Sequence, residues 1–168
     1  MESKKQTHIA GWALVVSILS LAVTTIMAIN QHKENIEVVV DKFFITEVNL
    51  EENLINCELE VIVANTSHTT TSLLKAKAYR NHSGLKAMEE LDVSTTPVMP
   101  ITLIQGGAER MVMHCQYRLD ETEVAILNNN DSPLQALDGQ RISVRVYSAK
   151  GATYISSARF DNAVLAIS

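Results

Sequence analysis

The chain has 168 residues, 46% of them hydrophobic, and its 19 acids against 14 lysines and arginines give a formal net charge of −5. One membrane segment and one domain of ~130 residues account for that length, and a domain of this size buries a real core. The acids are scattered along a mildly acidic chain, which argues against nucleic acid, whose recognition needs clustered Lys and Arg, and against a domain lying flat on anionic lipid.

Residues 1–8 (MESKKQTH) read as a short cytoplasmic tail in which Lys4 and Lys5 outnumber Glu2. Residues 9–29 (IAGWALVVSILSLAVTTIMAI) hold no charged side chain. At ~1.5 Å per residue, a helix over this run reaches ~30 Å, the thickness of a bilayer's hydrocarbon core, so a single transmembrane helix is expected. Positive charge beside a span favours the cytoplasmic face, which leaves the N-terminus in the cytoplasm and sends the rest across the inner membrane as a periplasmic or extracellular domain. Trp12 lies one turn inside the span, where an amphipathic ring suits the headgroup boundary.

The competing reading is a cleaved signal peptide, but this run exceeds the ~7–15 apolar residues of that element. Its one tolerable cleavage site, after Ala28, has bulky Ile26 two residues earlier. Neither cysteine follows closely enough to take a lipid. Within the span, Ala10, Ala13, Ser17, Ser20 and Thr24 recur at spacings of three and four. Small residues on one stripe let helices approach closely in lipid, and Ser or Thr can hydrogen-bond across the contact. The stripe is therefore a candidate packing face for a partner helix or for self-association.

Residues 30–35 read as a short stalk, and residues 36–168 as the exported domain. Segments 37–44, 56–63, 73–80, 100–104, 110–119, 141–147 and 153–160 are rich in β-branched or aromatic residues or alternate with the period of two that marks half-buried strands. The alternation turns Cys57, Leu59, Val61 and Val63 inward on one strand, and Met111, Met113, Cys115, Tyr117 and Leu119 on another. Leu74, Ala76 and Ala78 are expected inward between Lys75 and Lys77, as are Ile142, Val144 and Val146. Turn-forming residues at 51–53, 65–71, 105–107, 138–139 and 150–151 separate these segments. Residues 85–91 and 122–127 look briefly helical, and 164–167 continue or cap a sheet.

Cys57 and Cys115 both fall in the exported part, where an even pair suggests one disulfide. Two buried free thiols are the alternative, and the sequence leaves the choice open.

Seven strands with turns at intervals of roughly ten residues point to an all-β two-sheet sandwich behind the N-terminal helix. The strand and turn NCELEVIVANTS, the hairpin ITLIQGGAERMVMHCQYRL and the closing RISVRVYSAKG resemble, in their order, the immunoglobulin-like domains of small single-pass bacterial envelope proteins. The resemblance is one of architecture, without a specific motif, and it lacks the strand-borne core Trp of antibody-type domains, because the one Trp lies in the span. It implies that the strand holding Cys57 runs antiparallel beside the strand holding Cys115, with both cysteines close together on one sheet.

No Gly-x-Ser-x-Gly, His-Glu-x-x-His or glycine-rich phosphate loop occurs, so catalysis is not expected, nor is any cofactor. Met111, Met113 and Cys115 put three sulfurs on one strand face, a donor set suited to Cu(I), although Met and Cys also simply fill cores. Sequons stand at Asn65, Asn81 and Asn130. The expected function is a membrane-anchored accessory protein whose span packs with other helices and whose sandwich binds a protein partner. A ligand or soft-metal carrier is the alternative.

Overall fold

The structure is a computed structural model that describes residues 2–81, 88–129, 137 and 139–165. Its first element, α1 (Glu2–His32), takes in the expected tail and the start of the expected stalk as well as the apolar run. Side chains of α1 are described from position 14 to position 29. The remainder is mostly β: β1 (Ile36–Asn49), β2 (Leu54–Asn65), β3 (Thr71–Asn81), β4 (Met88–Glu90), β5 (Asp92–Thr96), β6 (Ile101–Leu103) and β7 (Ala108–Arg118), then α2 (Glu121–Asn129), β8 (Arg141–Ser148), β9 (Thr153–Arg159), a 3-10 turn (Phe160–Asn162) and β10 (Val164–Leu165).

These strands form two sheets packed as a sandwich. One has the order β10-β1-β2-β7-β5, and the other β4-β3-β8-β9 with β6 also paired to β3. The strand pairs are antiparallel except β1 with β10, which is parallel. Much of the core between the sheets is the set that the alternation picked out. Leu59, Val61, Val63, Met111, Met113, Ile142, Val144 and Val146 are all fully buried. Apolar alternation dictates this, because a one-residue slip would carry every one of these side chains into water.

The structure departs from expectation in three places. Met88–Glu90 is strand rather than helix, pairing with Tyr79, Arg80 and Asn81; the rest of that expected helix before Met88 lies outside the described residues. A strand at Asp92–Thr96 was not expected, since DVSTT has little apolar content; its pairing with β7 holds it in place. An irregularity between Leu73 and Lys75 in the β3–β8 register turns Leu73 inward and leaves Leu74 52% exposed. Extra residues in a strand shift its parity locally, so the clean alternation read there fails at its first position.

Turns follow their chemistry. Asn53 takes a φ of 55° between β1 and β2, a left-handed conformation that Asn tolerates better than most residues. Its carbonyl accepts from the Leu119 backbone N–H at 2.7 Å. Asn65 is buried, and its side chain holds the turn after β2. Its Nδ2 donates to the carbonyls of Thr69, Leu103 and Ile104, and its Oδ1 accepts from Ser67. In the folded chain the Asn65 side chain of that sequon is buried and spent on the turn.

Candidate functional site: the N-terminal helix, its joint and the buried groups

Described apolar side chains of α1 have nothing to bury them. The large ones, from Leu14 to Ile29, are 47–69% exposed. Among the described residues no helix is long and apolar enough to cross a membrane. Of the small-residue stripe, Ser17, Ser20 and Thr24 are exposed, while the side chains of Ala10 and Ala13 lie outside the described part. Thr24 Oγ1 donates to the Ser20 carbonyl at 2.7 Å, and Thr25 Oγ1 to the Leu21 carbonyl at 2.8 Å. Bonding back to the carbonyl four residues earlier satisfies a hydroxyl within its own helix, so Thr24 offers mainly its methyl group to a neighbour.

The chain that enters the sandwich after α1 is held by side-chain hydrogen bonds. Three residues, 33–35, separate α1 from β1. The Glu34 carboxylate accepts from Thr71 Oγ1, from Ser148 Oγ at 2.5 Å and from the Tyr154 hydroxyl at 3.3 Å. These donors come from the start of β3, the end of β8 and the start of β9, so one carboxylate ties three strands to the chain entering the domain. Next to it, Asn35 Nδ2 donates to Thr66 Oγ1 at 2.6 Å, and the Thr66 N–H donates to the Asn35 carbonyl at 2.9 Å. Of the expected stalk, residues 30–32 thus belong to α1, while Glu34 and Asn35 are held to the sandwich.

Burial, with the Glu34 charge beside it, pushes the Tyr154 phenol up to about 12. An unfolded phenol ionises near ~10, so the unfolded chain loses this proton first. The corresponding stability is complete below ~10 and falls as pH rises from there toward about 12. Titrating tyrosinate absorbance should therefore show a late phenol that disappears in Tyr154→Phe. A wild-type titration identical to that of Tyr154→Phe, apart from amplitude, would show that the joint does not perturb Tyr154.

Cys57 stands directly opposite Cys115 across β2 and β7, on one sheet. Both are buried free thiols. A side-chain hydrogen bond between them and burial raise the Cys57 thiol well above its ordinary value, which suppresses the thiolate and its reactivity. Cys115 Sγ also donates to the Met113 carbonyl at 3.8 Å. Met111 and Met113, the other members of the sulfur set, are fully buried within the core. His114 points to the opposite face, 3.4 Å from Glu58.

A second buried cluster escaped the sequence reading. Arg80 is fully buried. It pairs with Glu123 through Nη2, donates from Nε to Gln140 Oε1 at 2.9 Å, and lies 4.4 Å above the Tyr117 ring. Gln140 Nε2 donates in turn to Glu123 Oε1 at 2.8 Å. Glu123 also accepts from the Asp120 backbone N–H at 3.0 Å, while Asp120 Oδ1 accepts from the Glu123 N–H at 2.8 Å. That reciprocal pair is a capping box at the start of α2, and its signature, Asp-x-x-Glu before VAIL, was present in the sequence. Glu123 therefore starts the helix and locks it to the sandwich by charge. Among the described residues the charged groups of this cluster are paired with one another, with Arg80 and Glu123 both buried, an arrangement that holds α2 to the sandwich.

No family model matches the chain, and no curated protein matches it. Among solved structures it is similar to ApaA from Bordetella pertussis, at 11% identity and a TM-score of 0.42, over 74% of this chain and 88% of that one. It is similar to the archaellum periplasmic stator protein FlaG from Sulfolobus acidocaldarius at 15% identity and a TM-score of 0.37, over 74% of this chain and all of that one. A protein from Archaeoglobus fulgidus shows 11% identity and a TM-score of 0.39, over 75% of this chain and 94% of that one. Likenesses this distant say nothing about function.

Proposed function

We propose that the chain is a non-catalytic, membrane-anchored accessory protein, with α1 as its single span, a cytoplasmic N-terminus and an exported immunoglobulin-like domain that binds a protein partner. The observation that carries this reading is α1 itself. Its described apolar side chains are exposed on every side, and a helix apolar all round belongs in a core or in lipid. The described stretch of α1 continues N-terminally into further uncharged residues, back to Ile9, and together they reach the ~30 Å that a span needs. Strand order supports the immunoglobulin-like assignment. The neighbour relations β1-β2-β7-β5 and β3-β8-β9 match the ABED and CFG sheets of such domains, with β4 added beside β3. The cysteines lie on neighbouring strands of one sheet, unlike the inter-sheet bridge of antibody domains.

Fractionation of an expressing bacterium tests the proposal. The chain should pellet with membranes, resist alkaline extraction and dissolve in mild detergent, and protease added to spheroplasts should digest the sandwich. Recovery of the chain in the soluble fraction, trimmed near Ala28, would overturn it.

A further inference from the structure

The two outer faces of the sandwich carry opposite charge. On the β4-β3-β8-β9 sheet, register pairs place Lys77 beside Arg145 and Ile155, Lys75 beside Tyr147, and Arg141 beside Arg159. Five bases therefore stand on this face, and among the described residues the acid paired into it is Glu90, which meets Lys77. The opposite sheet turns out Glu37, Asp41, Glu47, Glu58, Glu60 and Asp92. Its bases are fewer: Lys42 and Arg110 are neutralised by Glu60 and Asp41, and Arg118 lies at the end of β7.

The basic face also has the composition of a contact surface. Arg145 is held 4.5 Å above the Tyr79 ring and donates from Nη2 to Met88 Sδ at 3.1 Å. Tyr79 and Tyr147 place their hydroxyls 3.4 Å apart. Around them Ile155, Leu74 and Met88 are 61%, 52% and 45% exposed. Aromatic residues, Met and Arg are enriched where proteins bind one another, and an Arg already fixed by its neighbours loses little freedom on binding.

We infer that copies of this chain associate face to back, the basic β4-β3-β8-β9 face of one on the acidic β1-β2-β7-β5 face of the next. The inference deepens the proposed function by naming the partner and its surface, and it rests on the membrane-anchored reading. Such a contact is heterologous and adds copies in a row. Copies related by translation keep all their α1 helices on the same side, as a shared membrane requires. Strands of 3, 11, 8 and 7 residues offer a footprint on the order of 500 Å², below the ~800 Å² per partner of a standard interface. Tethering in one membrane compensates by raising the effective concentration.

The full chain in mild uncharged detergent, followed by sedimentation and chemical cross-linking, tests this. Association should strengthen at low salt. Arg145→Glu or Glu58→Arg alone should weaken it by about tenfold, the effect of roughly one unfavourable charge contact. Mixing the two variants should recover it, because the two changes lie on different faces and the unaltered basic face of one variant meets the unaltered acidic face of the other; the recovery also shows that both variants are folded. A wild-type chain that stays monomeric overturns the inference, as does a mixture that fails to recover. Association that is insensitive to salt and to both variants places the contact in α1, which overturns the inference and leaves the membrane-anchored reading standing. A monomer that binds a different acidic protein through Arg145 does the same.

Discussion

Glu123→Ala is expected to lower the unfolding free energy by about 4–6 kcal/mol, measured by urea unfolding. Two losses add up. Truncation leaves Arg80, fully buried, without its main counter-charge, and breaking a buried pair from one side costs ~3–5 kcal/mol. It also removes half of the capping box that starts α2, typically worth ~1 kcal/mol. Domains commonly have ~5–15 kcal/mol in all, so the variant should be near the edge of folding. Glu123→Gln separates the two effects, since Gln keeps the cap and loses the charge. Arg80→Met combined with Glu123→Gln should regain much of the loss, because an apolar side chain tolerates the site once both buried charges are gone, and Glu89, 3.7 Å from Arg80 Nη1, is exposed enough to keep its water. A Glu123→Ala chain within 1 kcal/mol of wild type, on the order of a surface substitution, would mean that the cluster contributes little.

Phe160→Ala should cost about 3–5 kcal/mol, the range for emptying a large buried aromatic site. Phe160 is fully buried just after the last long strand. Its ring meets Phe43 edge-on at 4.9 Å and Tyr117 at 5.8 Å, both residues of the opposite sheet. Its backbone N–H donates to the Gln140 carbonyl at 3.2 Å. One side chain thus closes β9 over the β1 and β7 strands. Phe160→Leu keeps most of the volume and should cost under ~1.5 kcal/mol. Equal destabilisation by the two variants would point to the lost aromatic contact rather than the cavity.

Sheet parity was legible where apolar and polar residues alternate without interruption. NCELEVIV and RMVMHCQYRL state their inner faces in one dimension, and the core contains the side chains they name. Legibility failed where parity is broken or the apolar signal is weak. Leu74 turns outward because of an irregularity in pairing, which arises between strands and leaves no local mark. The β4 and β5 strands are short and polar, and their backbone finds its hydrogen bonds only against β3 and β7. Arg80 shares the inward parity of Ala78, yet its charge disguised it; what keeps it buried comes from Glu123 and Gln140, more than forty residues away.

By itself the sequence determined the uncharged helical run, the inner faces of the main strands and the positions of the turns, because each depends on periodicity or on the conformational preference of neighbouring residues. Tertiary structure decided the rest. It brought Cys57 opposite Cys115, clamped Glu34 beneath three strands and sorted charges scattered along the chain into one acidic and one basic face. Those outcomes depend on which strands become neighbours, and strand pairing joins residues whose separation in sequence carries no local signal.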